Sequence, residues 1–179
     1  SRGLGDVYKR QLEYEVKEAQ DEDKDLLYFY RMLSENHIQL DLKTDNWESA
    51  IELAGQLLLK DNYLSQRYIE TMVSLVNENG PYIVFSPGFV IAHAGPNDGA
   101  QKLGVSVIRF KEPVDFGVDE IKVRFVICLS IPNASSHVFL LFQIYKCFCN
   151  TEIFKYLLDA KNTKEFRQIL KIFELKNND

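Results

Sequence analysis

The sequence predicts an α/β fold, a β-sheet covered by helices, and three observations carry that prediction. Short runs rich in β-branched and aromatic residues are bounded by Gly, Pro and Asn, most clearly 82–85 and 89–92 around Ser86-Pro87-Gly88. Between such runs, apolar residues recur at helical spacing, as in Trp47, Ala50, Ile51, Ala54, Leu57 and Leu58. Residues 123–131 are almost continuously apolar, as a strand covered on both faces would be.

Taken in order, residues 1–11 lack an initiator Met and follow no period, and read as a non-native end. Residues 12–25 are dense in Glu, Asp and Lys, either a solvated helix or a linker. Leu26, Leu27, Phe29, Tyr30 and Leu33 add a short apolar patch that looks like the tail of something upstream. The domain itself is placed at 33–175, after a 1–32 extension and before a 176–179 tail. Residues 38–42 alternate as a first strand, and His37 before it is given no role. Asp45 with Glu48 three residues on predicts a helix start, and the helix runs over 46–60. Ser65 caps the next helix, with Tyr68, Ile69, Met72, Val73 and Val76 as its apolar stripe, and Asn79-Gly80-Pro81 ends it.

After the two strands at 82–85 and 89–92, residues 104–110 alternate as another strand and 112–117 read as a Pro-containing connection. Residues 138–149 are apolar nearly all round, which means a central buried helix or one partly covered by a partner. Two small helices started by Thr151 and Thr163 follow, with Phe154, Leu157, Leu158, Phe166, Ile169, Leu170 and Phe173 facing inward.

Two histidines stand where elements change. His93 lies where a buried strand gives way to the turn Gly95-Pro96-Asn97-Asp98-Gly99, held on one side and open on the other, as nucleophiles and proton carriers must be. A hydrogen-bonded bystander would occupy the same place. His137 follows Asn133, Ser135 and Ser136, good N-cap residues, at the start of the apolar helix. The first helical turn leaves backbone amides without partners and its dipole favours an anion, so His137 with Ser135 and Ser136 suits a phosphate. The alternative is that Ser135 or Ser136 simply caps the helix and His137 is incidental, and by itself that is the simpler account. If strand 123–131 lies beside strand 89–92, His137 is brought towards His93.

Composition excludes several classes. The net charge of −5, with no stripe of Lys and Arg, argues against nucleic acid. The three Cys form no disulfide framework and read as buried thiols in a reducing compartment. Cys147 and Cys149 point about 200° apart on a helix, and with His137 they lack a zinc spacing. No metal or cofactor is expected. Pro132 splits the longest apolar stretch into pieces shorter than the roughly 20 residues of a membrane span, so a soluble, cytoplasmic protein is expected. There is no Gly-x-Ser-x-Gly elbow for a hydrolase and no glycine-rich loop opening a helix for a nucleotide.

A resemblance sharpens the reading. Gly80-Pro81-Tyr82-Ile83-Val84, Pro87-Gly88, His93-Ala94, Asp98-Gly99 and Lys102-Leu103-Gly104-Val105-Ser106 closely resemble the enzyme IIA domain of the bacterial sugar phosphotransferase system. The subgroup is the fructose/mannitol type, within it the ascorbate-like branch. Lys111-Glu112-Pro113-Val114-Asp115-Phe116-Gly117, Asn133 with Ser136-His137, and Leu33-Ser34-Glu35-Asn36 with Ile38-Gln39-Leu40-Asp41 continue the match. The resemblance implies a mixed β-sheet flanked by helices on both faces. It implies that His93 accepts a phosphoryl group from the phosphocarrier HPr and passes it to a cysteine of enzyme IIB. The membrane enzyme IIC would be reached only indirectly, for uptake of ascorbate or a related sugar. His137 would stabilise the phosphate, with the Ala94 and Gly95 amides and Ser135 and Ser136 as further phosphate-binding groups. Domains of this type also occur in transcription antiterminators and activators, where phosphorylation regulates, and the acidic 12–33 stretch keeps that reading open. The chain departs from the usual Pro-His-Ala-Arg-Pro at Ala92 and at Gly95. Loss of the arginine removes a cation worth about 1.5–3 kcal/mol if it made a charged hydrogen bond.

Overall fold

Strand alternation divides the apolar residues between two cores. The computed structural model describes residue 10 and residues 28–134 and 137–177. Its elements are α1 (Phe29–Met32), β1 (Ile38–Leu42), α2 (Trp47–Leu59), α3 (Gln66–Asn79), β2 (Val84–Phe85), β3 (Phe89–Ala92), β4 (Gly104–Val114), β5 (Val123–Ser130), α4 (His137–Cys149), α5 (Thr151–Asp159) and α6 (Thr163–Asn177). The strands form one mixed sheet in the order β1-β4-β5-β3-β2. β1 runs parallel to β4 and β3 parallel to β5, while β4–β5 and β2–β3 are antiparallel.

Successive strand residues point to opposite faces. Phe89, Ile91, Val105, Val107, Phe125, Ile127 and Leu129 join α1, α4, α5 and α6 on one side. Val90, Ala92, Ile108, Phe110, Val126 and Cys128 join α2 and α3 on the other. The expected α/β fold, a mixed sheet with helices on both faces, is what the chain forms. The near-continuous apolar run of β5 follows from its central place, and α4 is the buried central helix of the first core, with Leu140, Leu141, Ile144, Cys147 and Phe148 enclosed.

The differences are local. The α2 cap is Asn46, whose side chain accepts from the Ser49 amide, not Asp45. Asn150 caps α5 and Asn162 accepts from the Glu165 amide at the head of α6, each one residue before the expected threonine. Asn is at least as good an acceptor at the N-cap, so backbone geometry decides among adjacent candidates. Strand β4 continues through Pro113, which was expected to break it. Beyond Phe110, β1 has ended and the β4–β5 register is irregular until Val114, so Pro113 sits where no regular rung needs its N–H. The strand expected over 82–85 is confined to Val84 and Phe85.

Helix α1 precedes the expected domain start at residue 33, yet Phe29 and Tyr30 are buried. Their amides donate to the Glu174 carboxyl group of α6 at 2.9 and 2.6 Å. At the other end, Arg167 donates to the Leu33 and Tyr30 carbonyls at 2.6 and 2.9 Å. An acid at the start and a base at the end match the helix dipole.

Candidate functional site

Residues 89–92 are buried apolar residues paired with 125–128, so β3 is held rigidly to its last residue, Ala92 opposite Cys128. His93 is the next residue. It stands at the carboxyl ends of two parallel strands, where open α/β sheets form crevices. The adjacency of strands β3 and β5, assumed from sequence, is observed. Beyond β5 the chain passes through Ile131, and His137 begins α4.

The loop after His93 is mounted on the start of α3. Ser65 N–H donates to the Gly99 carbonyl at 3.0 Å, and Arg67 Nη2 to the Asn97 carbonyl at 3.2 Å. Ala94 N–H donates to the Tyr68 hydroxyl at 3.0 Å. The Asp98 carboxylate folds back to accept from Gly95 N–H at 2.6 Å, while Asp98 N–H donates to the Gly95 carbonyl at 3.1 Å. A Cβ at residue 95 would lie 2.8 Å from Asp98 Oδ2, so glycine keeps this closure free of strain. Gly99 has φ 113°, a conformation that favours glycine, and packs on the Ser65 side chain.

His93 and His137 line one shallow cavity of about 270 Å³ with Leu75, Tyr82, Ala94, Gly95, Pro96 and Ile131. His93 is half-buried. Burial pushes its imidazole down to about 4, and the nearby His137 pushes in the same direction, against a hydrogen bond to the Ile91 backbone. The ring is therefore neutral near pH 7 and keeps a lone pair for nucleophilic attack. Burial also raises the Tyr82 phenol on the cavity wall. Among the described residues lining the cavity there is no Lys or Arg.

Of the residues singled out from sequence, the structure thus brings together His93, His137, Ala94 and Gly95. In this closed loop the Ala94 and Gly95 amides already donate within the protein, to Tyr68 and Asp98. Ser135 and Ser136 lie outside the described residues. Sequence reasoning missed Tyr68 and Asp98. Helical spacing places Tyr68 in the apolar stripe of its helix, and the usable signal is that a buried tyrosine hydroxyl must find partners. A larger groove of about 420 Å³ between α5 and α6 holds no histidine or thiol and lies apart from this chemistry.

Residues 31–172 match the family described as phosphoenolpyruvate-dependent sugar phosphotransferase system, EIIA 2. The mannitol-specific cryptic phosphotransferase enzyme IIA component of Escherichia coli (strain K12) is 31% identical over 136 residues, 76% of this chain and 92% of that protein. A solution structure of the mannitol-specific cryptic phosphotransferase enzyme IIA from Escherichia coli superposes with a TM-score of 0.72 at 29% identity, covering 80% of this chain and 97% of that one. The ascorbate-specific EIIA component of Escherichia coli (strain K12) is 28% identical over 141 residues, 77% of this chain and 92% of that protein. The fold is also that of enzyme IIA in the complex of mannitol enzyme IIA with phosphorylated enzyme IIB from Escherichia coli, with a TM-score of 0.69 at 20% identity over 77% of this chain and 96% of that one. No helix among the described residues is long and apolar enough to cross a membrane.

Proposed function

We propose, for a chain that belongs to the phosphoenolpyruvate-dependent sugar phosphotransferase system EIIA 2 family, that His93 is its phosphoryl carrier. The reading rests on one observation: a neutral imidazole at a strand end shares a cavity with a second imidazole at a helix start. A lone pair of His93 attacks the phosphorus of phospho-HPr, and the new N–P bond forms as the donor's N–P bond breaks. Transfer onward reverses the roles, the enzyme IIB thiolate attacking and the His93 nitrogen leaving. Such transfer asks the protein mainly for alignment and for donors around the equatorial oxygens. His137 donates one such hydrogen bond, and the dipole at the start of α4 favours the same charge. Ala94 and Gly95 shape the wall, and a direct contact from Gly95 N–H requires the Asp98 carboxylate to swing away. The likeness to ascorbate- and mannitol-specific relatives favours uptake of one of these sugars or a close analogue.

Incubation with phosphoenolpyruvate, enzyme I and HPr, followed by intact mass, tests the reading. The wild type gains an acid-labile phosphoryl group, His93→Ala gains none, and His137→Ala gains it more slowly. An acid-stable adduct, or one that persists in His93→Ala, overturns it.

A further inference from the structure

We propose that Tyr68 is a positioning residue for phosphoryl acceptance, its hydroxyl setting the place of His93 relative to His137 by tying the chain after β3 to the chain at the end of β5. The inference rests on the phosphohistidine reading above and extends it to a residue on the far face of the sheet. A phenol offers one hydrogen and two lone pairs. Here all three are used: the oxygen accepts from Ala94 N–H at 3.0 Å and from Ile131 N–H at 3.2 Å, and its hydrogen goes to the Leu129 carbonyl at 2.7 Å. The Ala94 carbonyl, at 3.4 Å, is the weaker alternative for that hydrogen.

The place of this knot matters. β3 and β5 are paired through Ala92 and Cys128, and beyond that rung the two chains part. One continues to His93, the other through Ile131 towards His137. The Tyr68 hydroxyl sits in the fork and substitutes for the rungs the sheet no longer supplies. It reaches there from α3, in the core opposite the one that α4 fills. Ser65 and Arg67 fasten the same loop to the same helix start, at Gly99 and Asn97. Tyr68 differs from them in touching both arms of the fork.

For packing alone, phenylalanine would serve, since the ring is fully buried in an apolar stripe. The hydroxyl is therefore the part that needs explaining. Without it, two amides and a carbonyl at the fork lose their partners, and the fork must open or admit water. Group transfer is sensitive to displacements of this size, because productive geometry tolerates only a fraction of an ångström.

The test uses the whole chain as Tyr68→Phe, with Ile69→Val on the same helix as a control for destabilised packing. The first readout is the NMR titration of the two imidazoles without phosphate. In the wild type, His137→Gln raises the His93 midpoint by removing a neighbouring charge; in the Tyr68→Phe background the same replacement moves it less than half as far. The second is phosphoryl acceptance from phospho-HPr, where Tyr68→Phe lowers kcat about tenfold or more and leaves KM within about twofold. Ile69→Val keeps both. Should Tyr68→Phe fail to fold, 4-aminophenylalanine at this position keeps a donor for Leu129 and accepts poorly from the two amides, and the same losses are expected. Unchanged coupling with unchanged kcat overturns the proposal, as do equal losses in Ile69→Val. A wild type that accepts no phosphoryl group sinks the functional reading instead, and the titration still judges Tyr68.

Discussion

Asp98→Asn should weaken the fold and strengthen the phosphorylated state, and the opposite signs make it informative. The Asp98 carboxylate accepts from Gly95 N–H at 2.6 Å, closing the loop that carries His93. A charged hydrogen bond contributes about 1.5–3 kcal/mol, and partial exposure puts this one at the lower end. Asparagine keeps an acceptor of the same shape without the charge, so the loss is roughly 1 kcal/mol, a fall in Tm of about 2–4 °C for a domain of this size. The second effect is electrostatic. A phosphoryl group on His93 brings nearly two negative charges into a cavity whose wall includes Gly95, the residue that Asp98 grips. Like charges at the surface of a protein repel by on the order of 1 kcal/mol or more, and about 1.4 kcal/mol is tenfold in an equilibrium. Removing the carboxylate should therefore raise phospho-His93 occupancy about fivefold to tenfold at a fixed ratio of phospho-HPr to HPr, read by intact mass. Thermal melts of the same samples supply the stability arm. A variant that melts lower as expected, yet shows unchanged or reduced occupancy, would refute the claim that Asp98 acts on the phosphoryl group.

Stability against pH should separate two groups with opposing effects, half-buried His93 and buried Glu174. His93 is pushed from 6.5 down to about 4, so its share of stability is lost as pH falls from about 6.5 towards 4, while Glu174, raised from 4.5 to about 7, loses its share as pH rises across nearly the same range. Each amounts to about 3 kcal/mol in full, and they offset one another in the wild type. Urea unfolding should then show His93→Gln losing stability from pH 4.5 to 7 and Glu174→Gln gaining it; parallel profiles for the two would contradict both assignments. Arg109 is buried and donates to the Leu157 and Ala160 carbonyls at 2.9 and 2.7 Å and to both Asp41 oxygens at 3.1 and 3.0 Å, tying β1, β4 and the end of α5 together. Arg109→Ala should cost about 3 kcal/mol, and Arg109→Lys should recover little because a single ammonium cannot span the same four acceptors. A melt within a degree of wild type for either variant would show that the cluster is dispensable.

What the sequence disclosed and what it concealed differ by the reach of the interactions. Strand β3, the Gly80 stop of α3 and the apolar face of α2 follow from neighbours within a few residues, and each is found where local pattern places it. His93 and His137 were legible for the same reason, since each marks a change of element that turn and cap residues announce. The N-caps slipped by one residue because Asp45-Asn46, Asn150-Thr151 and Asn162-Thr163 offer adjacent acceptors, and only the backbone angles choose between them. Helix α1 was invisible because one turn has no period and its clamp, Glu174, lies 145 residues away from Phe29.

Tyr68 is the instructive case. Periodicity assigned it correctly to the buried face of α3, and there periodicity stops, because it ranks tyrosine with leucine. A fully buried hydroxyl has hydrogen-bonding capacity that must be met, so a tyrosine inside an apolar stripe is itself a signal that backbone lies within reach. Which backbone cannot be deduced from one helix. It depends on two parallel strands, far apart in the chain, parting at the same height, and that follows only once the sheet order is known. The two histidines of the cavity were therefore readable from local composition, whereas the Tyr68 bonds between the chains that lead to them were readable only as an unmet need.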